Sequence, residues 1–375
     1  MANLFFYGTL RHLPLLEIVL GRGRETLDLT PTALPDHEVR GVAEGPFPTI
    51  APQAGARAPG VLLRDLSPED IARLDFYEGS FAYDLAVVTL ENGSEAQVYF
   101  PQPGLWTAEE PWSLEDWERD WGALSCHAAR EVMSYMGHKD RETVARMFPM
   151  IRARAAAKVN GARSKHGANT LKGRVDVARV DRVYANFFAL EEWHLSHETF
   201  AGGMSAPVER AVFIGTDAAL VLPYDPVRDR VLLVEQMRMG PLARHDRAVW
   251  QLEPVAGRID PGETAEGAAR REAMEEAGLE LGRLEPVAEV YASPGSATDF
   301  FHIFVGLADL PDAATGVSGL DAEHEDIRSH LLDFDALMAL CDRQEAANGP
   351  LVIAAYWLAR HRARLRSAGG NATSG

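Results

Sequence analysis

Cysteines and long apolar runs are both scarce in this chain. Of 375 residues only Cys126 and Cys341 are cysteines, and two distant thiols build neither a disulfide framework nor a cysteine-based metal site within one chain. The apolar run within residues 1–11 is broken by Gly8 and Arg11, and no stretch approaches the ~18 apolar residues of a spanning helix. These absences disfavour secretion and membrane spanning, so we expect a cytoplasmic protein.

Positive charge is also scarce. Lysine and arginine number 37 against 55 aspartate and glutamate residues, which gives a net charge of −18. Such a field repels DNA, RNA and anionic lipid, so we expect no nucleic-acid or membrane partner. A phosphate ester can still bind where a metal ion and a few arginines reverse the field locally. The acidity therefore does not exclude a nucleotide as substrate.

The chain does contain enough apolar material for two folded domains. Hydrophobic residues make up 46% of the sequence, and the length exceeds that of one ordinary core. Short strands and one helix, Ser67–Leu74, fill residues 1–112, a helical pattern poor in glycine and proline fills 113–172, and strands and helices follow in 173–368. The small polar residues 369–375 predict a disordered tail. We therefore predict an α+β protein of two domains joined by a helical connector.

The most informative segment runs from Gly257 to Leu279. It reads Gly, five residues, Glu, seven residues, Arg-Glu, an aliphatic residue, one residue, Glu-Glu, one residue, Gly and an aliphatic residue. This pattern resembles the Nudix box at every specified position, with Ala273 the smallest residue acceptable at its aliphatic position. The resemblance implies a Nudix α/β/α sandwich in 173–368, and hydrolysis of a nucleoside diphosphate linked to another moiety.

The carboxylates of this segment indicate a metal site on physical grounds as well. Thr264 is suited to cap a helix on which Glu272, Glu275 and Glu276 fall at i, i+3 and i+4, so that three carboxylates crowd one face. Like charges at this spacing destabilise a helix unless a cation lies among them, and hard oxygen ligands suit Mg²⁺ or Mn²⁺. A solvated acidic helix face is the alternative interpretation.

The Nudix resemblance assigns a role to each of these residues. It implies that the principal metal ligands are Glu272 and Glu276 together with the carbonyl of Ala256, that Glu275 is a supporting ligand or a group behind the ligands, and that Arg271 and Glu263 hold loop and helix in register.

The flanking sequence resembles the bacterial ADP-ribose pyrophosphatases. A proline, Pro294, follows Gly278 by sixteen residues, where that subfamily has one. The resemblance implies that ADP-ribose is split into AMP and ribose 5-phosphate. Another nucleotide sugar such as GDP-mannose, or a nucleotide sensor without turnover, remain as alternatives. The resemblance further rests on residues 222–229, 235–238, 250–253 and 255–257.

The same resemblance points to the residues that act on the substrate. The acidic loop 319–327 would supply the catalytic base, Glu325, with Glu323 as the second choice and an ordinary exposed loop as the alternative. The expected substrate-binding residues are Arg238, Arg210, Glu253, Pro294 and an aromatic ring that stacks on adenine, Phe187 or Phe188. The alternative for the two arginines is an ordinary surface position. The alternative for the two phenylalanines is a place in the core, and in each case both interpretations stay open.

Two departures from the subfamily bear on substrate choice. Asp299 stands where many relatives have glutamate, and residues 311–318 lengthen the approach to the acidic loop.

In the same subfamily the segment that corresponds to 175–213 forms strands that pair with a second subunit. The resemblance therefore implies a homodimer through the Nudix domain.

The first domain carries a second resemblance. Phe5–Arg11 is similar to the opening of the γ-glutamylcyclotransferase-like fold, and Leu74–Gly79 with Tyr83 is similar to its second signature. This implies a β-barrel with helices, in which the backbone N–H groups of Tyr7, Gly8, Thr9 and Leu10 face an anionic substrate group.

By the same resemblance, Glu78 would move a proton while a γ-glutamyl amine closes to 5-oxoproline. Leu13 stands where the family usually has a glycine. The alternative is a binding or regulatory module without turnover.

Overall fold

The chain forms two compact units, Met1–His166 and Gly167–Gly375, called unit 1 and unit 2 below. The computed structural model describes residues 2–78, 83–164, 167–318 and 326–370, with side chains as far as 367. The boundary divides the predicted connector, 113–172. No helix in these described ranges combines the length and apolar composition needed to span a bilayer.

Unit 1 is built around one six-stranded sheet. Its strands are β1 (Ala2–Phe6), β2 (Leu29–Val42), β3 (Gly45–Leu66), β4 (Tyr83–Thr89), β5 (Glu95–Pro101) and β6 (Ala108–Pro111). They are ordered β4-β5-β1-β3-β2-β6, with β1 antiparallel to β3 and parallel to β5. Within the described part of unit 1 the edge strands β4 and β6 do not pair, so the sheet of the predicted barrel is open between these two strands.

In the described part of unit 1, five α-helices accompany this sheet. They are α1 (Leu13–Leu20), α2 (Pro68–Glu78), α3 (Leu114–Trp117), α4 (Ala123–Ser134) and α5 (Arg141–Arg163), with a π-helical turn at Glu118–Gly122. Ser67 caps α2, because its hydroxyl accepts the Asp70 N–H at 3.1 Å. Cys126 and Ala129 of α4 share one core with Leu15 and Leu16 of α1. The helices predicted as a connector therefore contribute to the core of unit 1.

Unit 2 contains a large mixed sheet and a separate small one. The large sheet consists of β10 (Asp217–Asp225), β11 (Arg230–Met237), β12 (Trp250–Glu253), β13 (Val255–Arg258), β14 (Leu284–Tyr291), β15 (Phe300–Leu307), β16 (Val317–Ser318) and β17 (Ile327–Asp333). The small sheet consists of β7 (Val175–Ala185), β8 (Ala189–His197) and β9 (Val208–Ile214). The helices are α6 (Met239–Arg244), α7 (Ala265–Ala277), α8 (Phe334–Asp342) and α9 (Gly349–Gly370).

The large sheet is buried on both faces, which makes unit 2 an α/β/α sandwich. Along β10, Leu220 and Leu222 join a core with α8 and α9, whereas Ala219 and Val221 join a core with α7. Successive side chains of a strand point to opposite faces, so one strand supplies both cores. The predicted fold class is confirmed. Helix α9 continues two residues past the predicted domain end at 368, and residues 371–375 of the predicted tail lie outside the described ranges.

Helix α9 is anchored near its end by one aspartate. Asp229 adopts a left-handed conformation, φ 59°, in the turn between β10 and β11. Its carboxylate accepts Arg362 Nε at 2.9 Å and the Tyr224 hydroxyl at 2.8 Å, and Arg366 lies 2.6 Å away. Hydrogen bonds from Arg362 hold the pKa of Asp229 well below its ordinary value, against the effect of burial. The helix is therefore tied to the turn between β10 and β11 by charge as well as by packing.

The small sheet presents apolar side chains to solvent. Val177 is 47% exposed, Val183 53% and Tyr184 57%, and Phe200 beyond β8 is 87% exposed. Exposed apolar patches of this kind mark interaction surfaces in soluble proteins.

Candidate active site

Helix α7 carries the predicted carboxylate cluster, and its ends explain its length. The Thr264 side chain accepts the N–H of Gly267 at 3.0 Å, as predicted for the N-cap. Gly278 ends the helix in the left-handed conformation, φ 61°, which glycine adopts without strain. The helix therefore spans Glu272, Glu275 and Glu276 and ends one residue after the last of them, at Ala277.

One guanidinium organises the cluster. Arg271 donates through Nε and Nη2 to the two oxygens of Glu263 at 3.1 and 3.0 Å, and through Nη1 to Glu272 at 2.6 Å and Glu275 at 3.0 Å. Its Nη2 also donates to the carbonyl of Arg258 at 3.0 Å. These are five acceptors, and arginine is the side chain that carries five N–H donors in one fixed plane. Arg271 thus joins loop and helix, as the resemblance implied.

Glu272 and Glu276 face strand β13. Glu276 is 3% exposed and accepts the backbone N–H of Ala256 at 3.1 Å. Glu272 lies against the next residue, Gly257, where a β-carbon would fall 1.8 Å from Glu272 Oε1. A side chain at position 257 would therefore displace the Glu272 carboxylate, and Ala256, Glu272 and Glu276 meet at one place.

These residues suit a hard divalent cation. The donors are carboxylate oxygens, and Gly257 leaves room for Glu272 beside the strand. Among the described residues no three His, Cys, Asp or Glu side chains stand together in metal-binding geometry. Arg271 holds the carboxylates of Glu272 and Glu275 at its own guanidinium. Rotation of these two side chains would be needed to complete a coordination shell.

Arg238 and Glu253 form an ion pair beside the sheet. Arg238 follows β11 directly, and its Nε and Nη2 both lie 2.7 Å from Glu253 Oε2. Glu253 is 7% exposed, and its other oxygen accepts Asn348 Nδ2 at 3.1 Å. Sequence reasoning named the ion-paired residues but missed Asn348, which lies 95 positions from Glu253. No motif or spacing in the sequence links the two.

The predicted aromatic residues lie at the hairpin between β7 and β8. Phe187 and Phe188 contact each other edge to face at 4.8 Å, and Phe188 contacts Phe213 at the same distance. The guanidinium of Arg258, inside the Nudix-like segment, lies 5.2 Å from the Phe187 ring centre. The pair is 53% and 42% exposed, so neither ring is in the core, and the structure brings Phe187 close to the segment. Arg210, on β9, is exposed and donates to the carbonyl of its neighbour Glu209 at 2.8 Å.

The Pro294 loop is tied to β9. The N–H of Phe213 donates to Ser296 at 2.8 Å, and the N–H of Thr298 donates back to Phe213 at 3.0 Å. In the same loop Asp299 lies against Gly215, where a β-carbon would meet Oδ1 at 2.3 Å, and burial raises the pKa of Asp299. The shorter side chain at 299 thus sits directly on the backbone.

The predicted base lies outside the described residues, as do all of positions 319–325, including Glu323 and Glu325. Just before them, in the insertion 311–318, Ser318 donates from its hydroxyl to the carbonyl of Glu276. The insertion therefore reaches the helix that carries the cluster.

In unit 1 the two predicted signatures converge. Tyr7 follows β1 and donates to the carbonyl of Tyr99 at 3.1 Å, and a 3-10 turn, Thr9–Arg11, follows Gly8. Glu78 ends α2, and burial of its carboxyl group raises its pKa to about 7. The Glu78 charge in turn contributes to the raised pKa values of Tyr7, after burial and Tyr83, and of Tyr83, after burial. Glu78 therefore lies among the tyrosines that surround the Tyr7–Leu10 turn.

Arg11 adds an unusual donor to this region. Its Nε is buried and has no hydrogen-bond partner within the part of the chain that the structure describes. Burial lowers the pKa of Arg11, which Glu118 partly offsets. Buried polar atoms are normally paired, so this nitrogen suits an anionic group.

Comparison with known proteins matches a different family model to each of the two units. The family models described as NUDIX domain and as Gamma-glutamyl cyclotransferase, AIG2-like, match residues 216–353 and 4–119. The ADP-ribose pyrophosphatase of Escherichia coli (strain K12) is 40% identical over 198 residues, which are 52% of this chain and 93% of that protein. The chain belongs to the Nudix family. Nudix hydrolases generally use divalent metal ions, and the carboxylates of α7 are the hard ligands that such ions prefer.

Two further Nudix relatives differ in the substrate their names give. The ADP-ribose pyrophosphatase of Haemophilus influenzae is 35% identical over 194 residues, 51% of this chain and 89% of that protein. The GDP-mannose pyrophosphatase of Citrobacter koseri is 29% identical over 150 residues, 40% of this chain and 77% of that protein. Identity is thus higher to the relatives named for ADP-ribose.

Proposed function

We propose that unit 2 hydrolyses the pyrophosphate bond of ADP-ribose to AMP and ribose 5-phosphate, with Mg²⁺ or Mn²⁺ as cofactor. The observation that carries the proposal is the cluster on α7, in which Arg271 binds Glu263, Glu272 and Glu275 while Glu276 is fixed on Ala256. The higher identity to relatives named ADP-ribose pyrophosphatase supports the substrate.

The cation would be held by the Glu272 and Glu276 carboxylates and the carbonyl of Ala256, with Glu275 in support. When bound, it would neutralise the pyrophosphate and polarise a phosphoryl oxygen. Arg271 would keep Glu263 and the loop against the helix throughout, since its fork is already filled by protein acceptors.

The substrate would be held by residues around this cluster. Arg238 and Arg210 would bind the pyrophosphate, and Phe187 or Phe188 would stack on the adenine, with the Pro294 loop beside them. Glu325 would take the proton from the attacking water, with Glu323 as the alternative base.

Product analysis tests this proposal. The purified chain is incubated with Mg²⁺ and, separately, with ADP-ribose, GDP-mannose, ADP-glucose and NADH, and the products are separated by chromatography. AMP and ribose 5-phosphate, formed fastest from ADP-ribose, are expected. Faster cleavage of GDP-mannose would move the substrate assignment to the other relatives, and no cleavage of any compound would favour a sensor.

We further propose that unit 2 forms a homodimer through the small sheet β7–β9. The exposed side chains of Val177, Val183 and Tyr184 support this surface. A cytoplasmic location fits the scarcity of cysteine, and the net charge of −18 disfavours nucleic acid and anionic membranes as partners.

A second activity is proposed for unit 1, the cyclisation of γ-glutamyl amines. Two observations favour it, the pKa of about 7 at Glu78 and the buried Nε of Arg11, which has no hydrogen-bond partner among the residues that the structure describes. A carboxyl group poised near neutral pH is suited to accept and return a proton. Formation of 5-oxoproline from a γ-glutamyl amine, lost in Glu78→Gln, would support it; equal activity of the two proteins would favour a regulatory module.

A further inference from the structure

A buried carboxylate connects the first turn of α9 to Arg238. Glu253 is 7% exposed, and its two oxygens have different partners, Arg238 on one side and Asn348 on the other. A buried carboxylate is costly unless both oxygens are paired. The position of Glu253 is therefore set from two sides at once.

The orientation of Asn348 follows from its neighbours. Its Oδ1 accepts the backbone N–H of Leu351 at 2.9 Å and so caps α9. A backbone N–H only donates and a carboxylate only accepts, so the amide nitrogen must face Glu253. Asn348 is thus a cap and a donor to Glu253 at the same time.

The contacts lead from Asn348 through Glu253 to Arg238, whose guanidinium has N–H donors beyond those that face Glu253. Arg238 donates its Nε–H to Glu253 Oε2 at 2.7 Å, its Nη2 lies 2.7 Å from the same oxygen, and its side chain is 39% exposed. Nη1 carries two further N–H donors that take no part in this ion pair. With one edge held by Glu253, the guanidinium presents its other edge in a fixed plane, the form in which arginine binds phosphate oxygens in pairs.

We infer that Asn348 is a positioning residue for the substrate pyrophosphate, acting through Glu253 on Arg238. The inference rests on the proposed function, in which Arg238 binds that pyrophosphate. Asn348 touches no substrate itself. The Asn348 amide holds the Glu253 carboxylate in position. That carboxylate in turn fixes the plane of the Arg238 guanidinium.

Asn348→Asp separates the two roles of this residue. Aspartate caps a helix as well as asparagine does, so the bond to Leu351 is kept, while a carboxylate replaces the donor that faces Glu253. We expect KM for ADP-ribose to rise about tenfold, as for loss of a charge-assisted hydrogen bond, with kcat within about twofold. Asn348→Ser is the matched control, since it keeps a cap without adding a charge.

Two double variants test the path of the effect. In an Arg238→Ala background, Asn348→Asp is expected to change KM by less than about twofold, because residues that act in one chain are not additive. The second combines Glu253→Gln with Asn348→Asp, so that the new amide at position 253 can donate to the new carboxylate at position 348. In this variant KM is expected to return to within about threefold of the wild type.

The outcomes separate the inference from the proposed function. An additive effect in the Arg238→Ala background, or a melting temperature and kcat that fall with no change in KM, would overturn the positioning role and leave Asn348 as a helix cap. If the wild type does not hydrolyse ADP-ribose, the proposed function fails. The inference is then decided by ¹⁵N NMR of Arg238 Nε–H: faster solvent exchange in Asn348→Asp, reversed in the Glu253→Gln double variant, supports it, and unchanged exchange overturns it.

Discussion

The Glu272 carboxylate lies on the α-carbon of Gly257, so that a β-carbon there would fall 1.8 Å from Oε1. Gly257→Ala must therefore displace Glu272 or the strand. We expect kcat/KM for ADP-ribose to fall by about 100-fold, as for removal of a group that stabilises the transition state. Gly316→Ala is the control, because a β-carbon at Gly316 meets nothing within 4 Å. Equal activity of the two variants would mean that Glu272 takes no part.

Glu276 is expected to be the most sensitive carboxylate of the cluster. It is buried, and it accepts the Ala256 N–H at 3.1 Å. Glu276→Gln keeps the shape and removes the charge, so metal-dependent turnover is expected to fall by at least about 100-fold. Glu266→Gln, an exposed change on the same helix, should leave turnover intact. Full turnover of Glu276→Gln in a Mg²⁺ titration would contradict the proposed metal site.

Arg271→Ala should destabilise unit 2 in a pH-dependent way. Burial raises the pKa of Glu263, but hydrogen bonds from Arg271 and Asp260 outweigh it and leave that pKa below its ordinary value. A lowered pKa in the folded state contributes stability above the unfolded pKa, and this stability is lost as pH falls. The loss of unfolding free energy in Arg271→Ala, about 1–3 kcal/mol at pH 7, should therefore shrink toward pH 3.

Urea unfolding in EDTA measures this difference across pH. Arg270→Ala is the comparison, since Arg270 donates to the carbonyl of Leu281 and not to a carboxylate. Its effect should not depend on pH. A pH-independent loss in Arg271→Ala would contradict the proposed charge pairing.

Glu78→Gln should change the pH dependence of unit 1 in the opposite sense. Burial raises the Glu78 pKa from 4.5 to about 7, so the folded state holds the proton more tightly than the unfolded state does. Stability linked to Glu78 is then fully present below pH 4.5 and lost as pH rises to about 7. The melting temperature of Glu78→Gln relative to the wild type should rise between pH 5 and 8. Glu69→Gln, exposed on the same helix, should give a constant difference; a flat difference for Glu78→Gln would argue against a buried acid.

Val177→Asp tests the proposed dimer surface. Val177 is 47% exposed on β7, and a charge there would be desolvated in an interface at a cost of several kcal/mol. Sedimentation velocity is expected to show a dimer for the wild type and a monomer for the variant. Val227→Asp is the control, since Val227 is 59% exposed in the turn between β10 and β11. Dissociation by both changes, or by neither, would place the interface elsewhere.

The local features of the site were predictable because they are short-range in sequence. Thr264 and Gly278 bound a helix by capping rules, and the i, i+3, i+4 spacing puts Glu272, Glu275 and Glu276 on one face. The burial of β10 on both faces is also readable from the sequence, because the consecutive residues Leu220 and Val221 are both apolar.

The long-range features were not predictable from one sequence. Asn348 meets Glu253 across 95 positions, and nothing local distinguishes it from another polar loop residue. Helix α4 looked like part of a connector because its pattern is helical, whereas only tertiary packing of Ala129 against Leu16 places it in the core of unit 1. The open edge of the first sheet likewise depends on whether β4 meets β6, which no strand pattern states.

The order of synthesis gives the Asn348 contact a further consequence. Glu253 leaves the ribosome 95 residues before Asn348, which at about 5–20 residues per second is on the order of 5–20 s. During this interval β11 and β12 can pair, but of the two partners of Glu253 only Arg238 has been made. Arg362, the partner of Asp229, is also not yet made. Unit 1 ends at His166, so all of its residues have been made by then. Until α9 is made, the nascent chain therefore carries all residues of unit 1 and a unit 2 in which Asn348 does not yet hold Glu253 against Arg238.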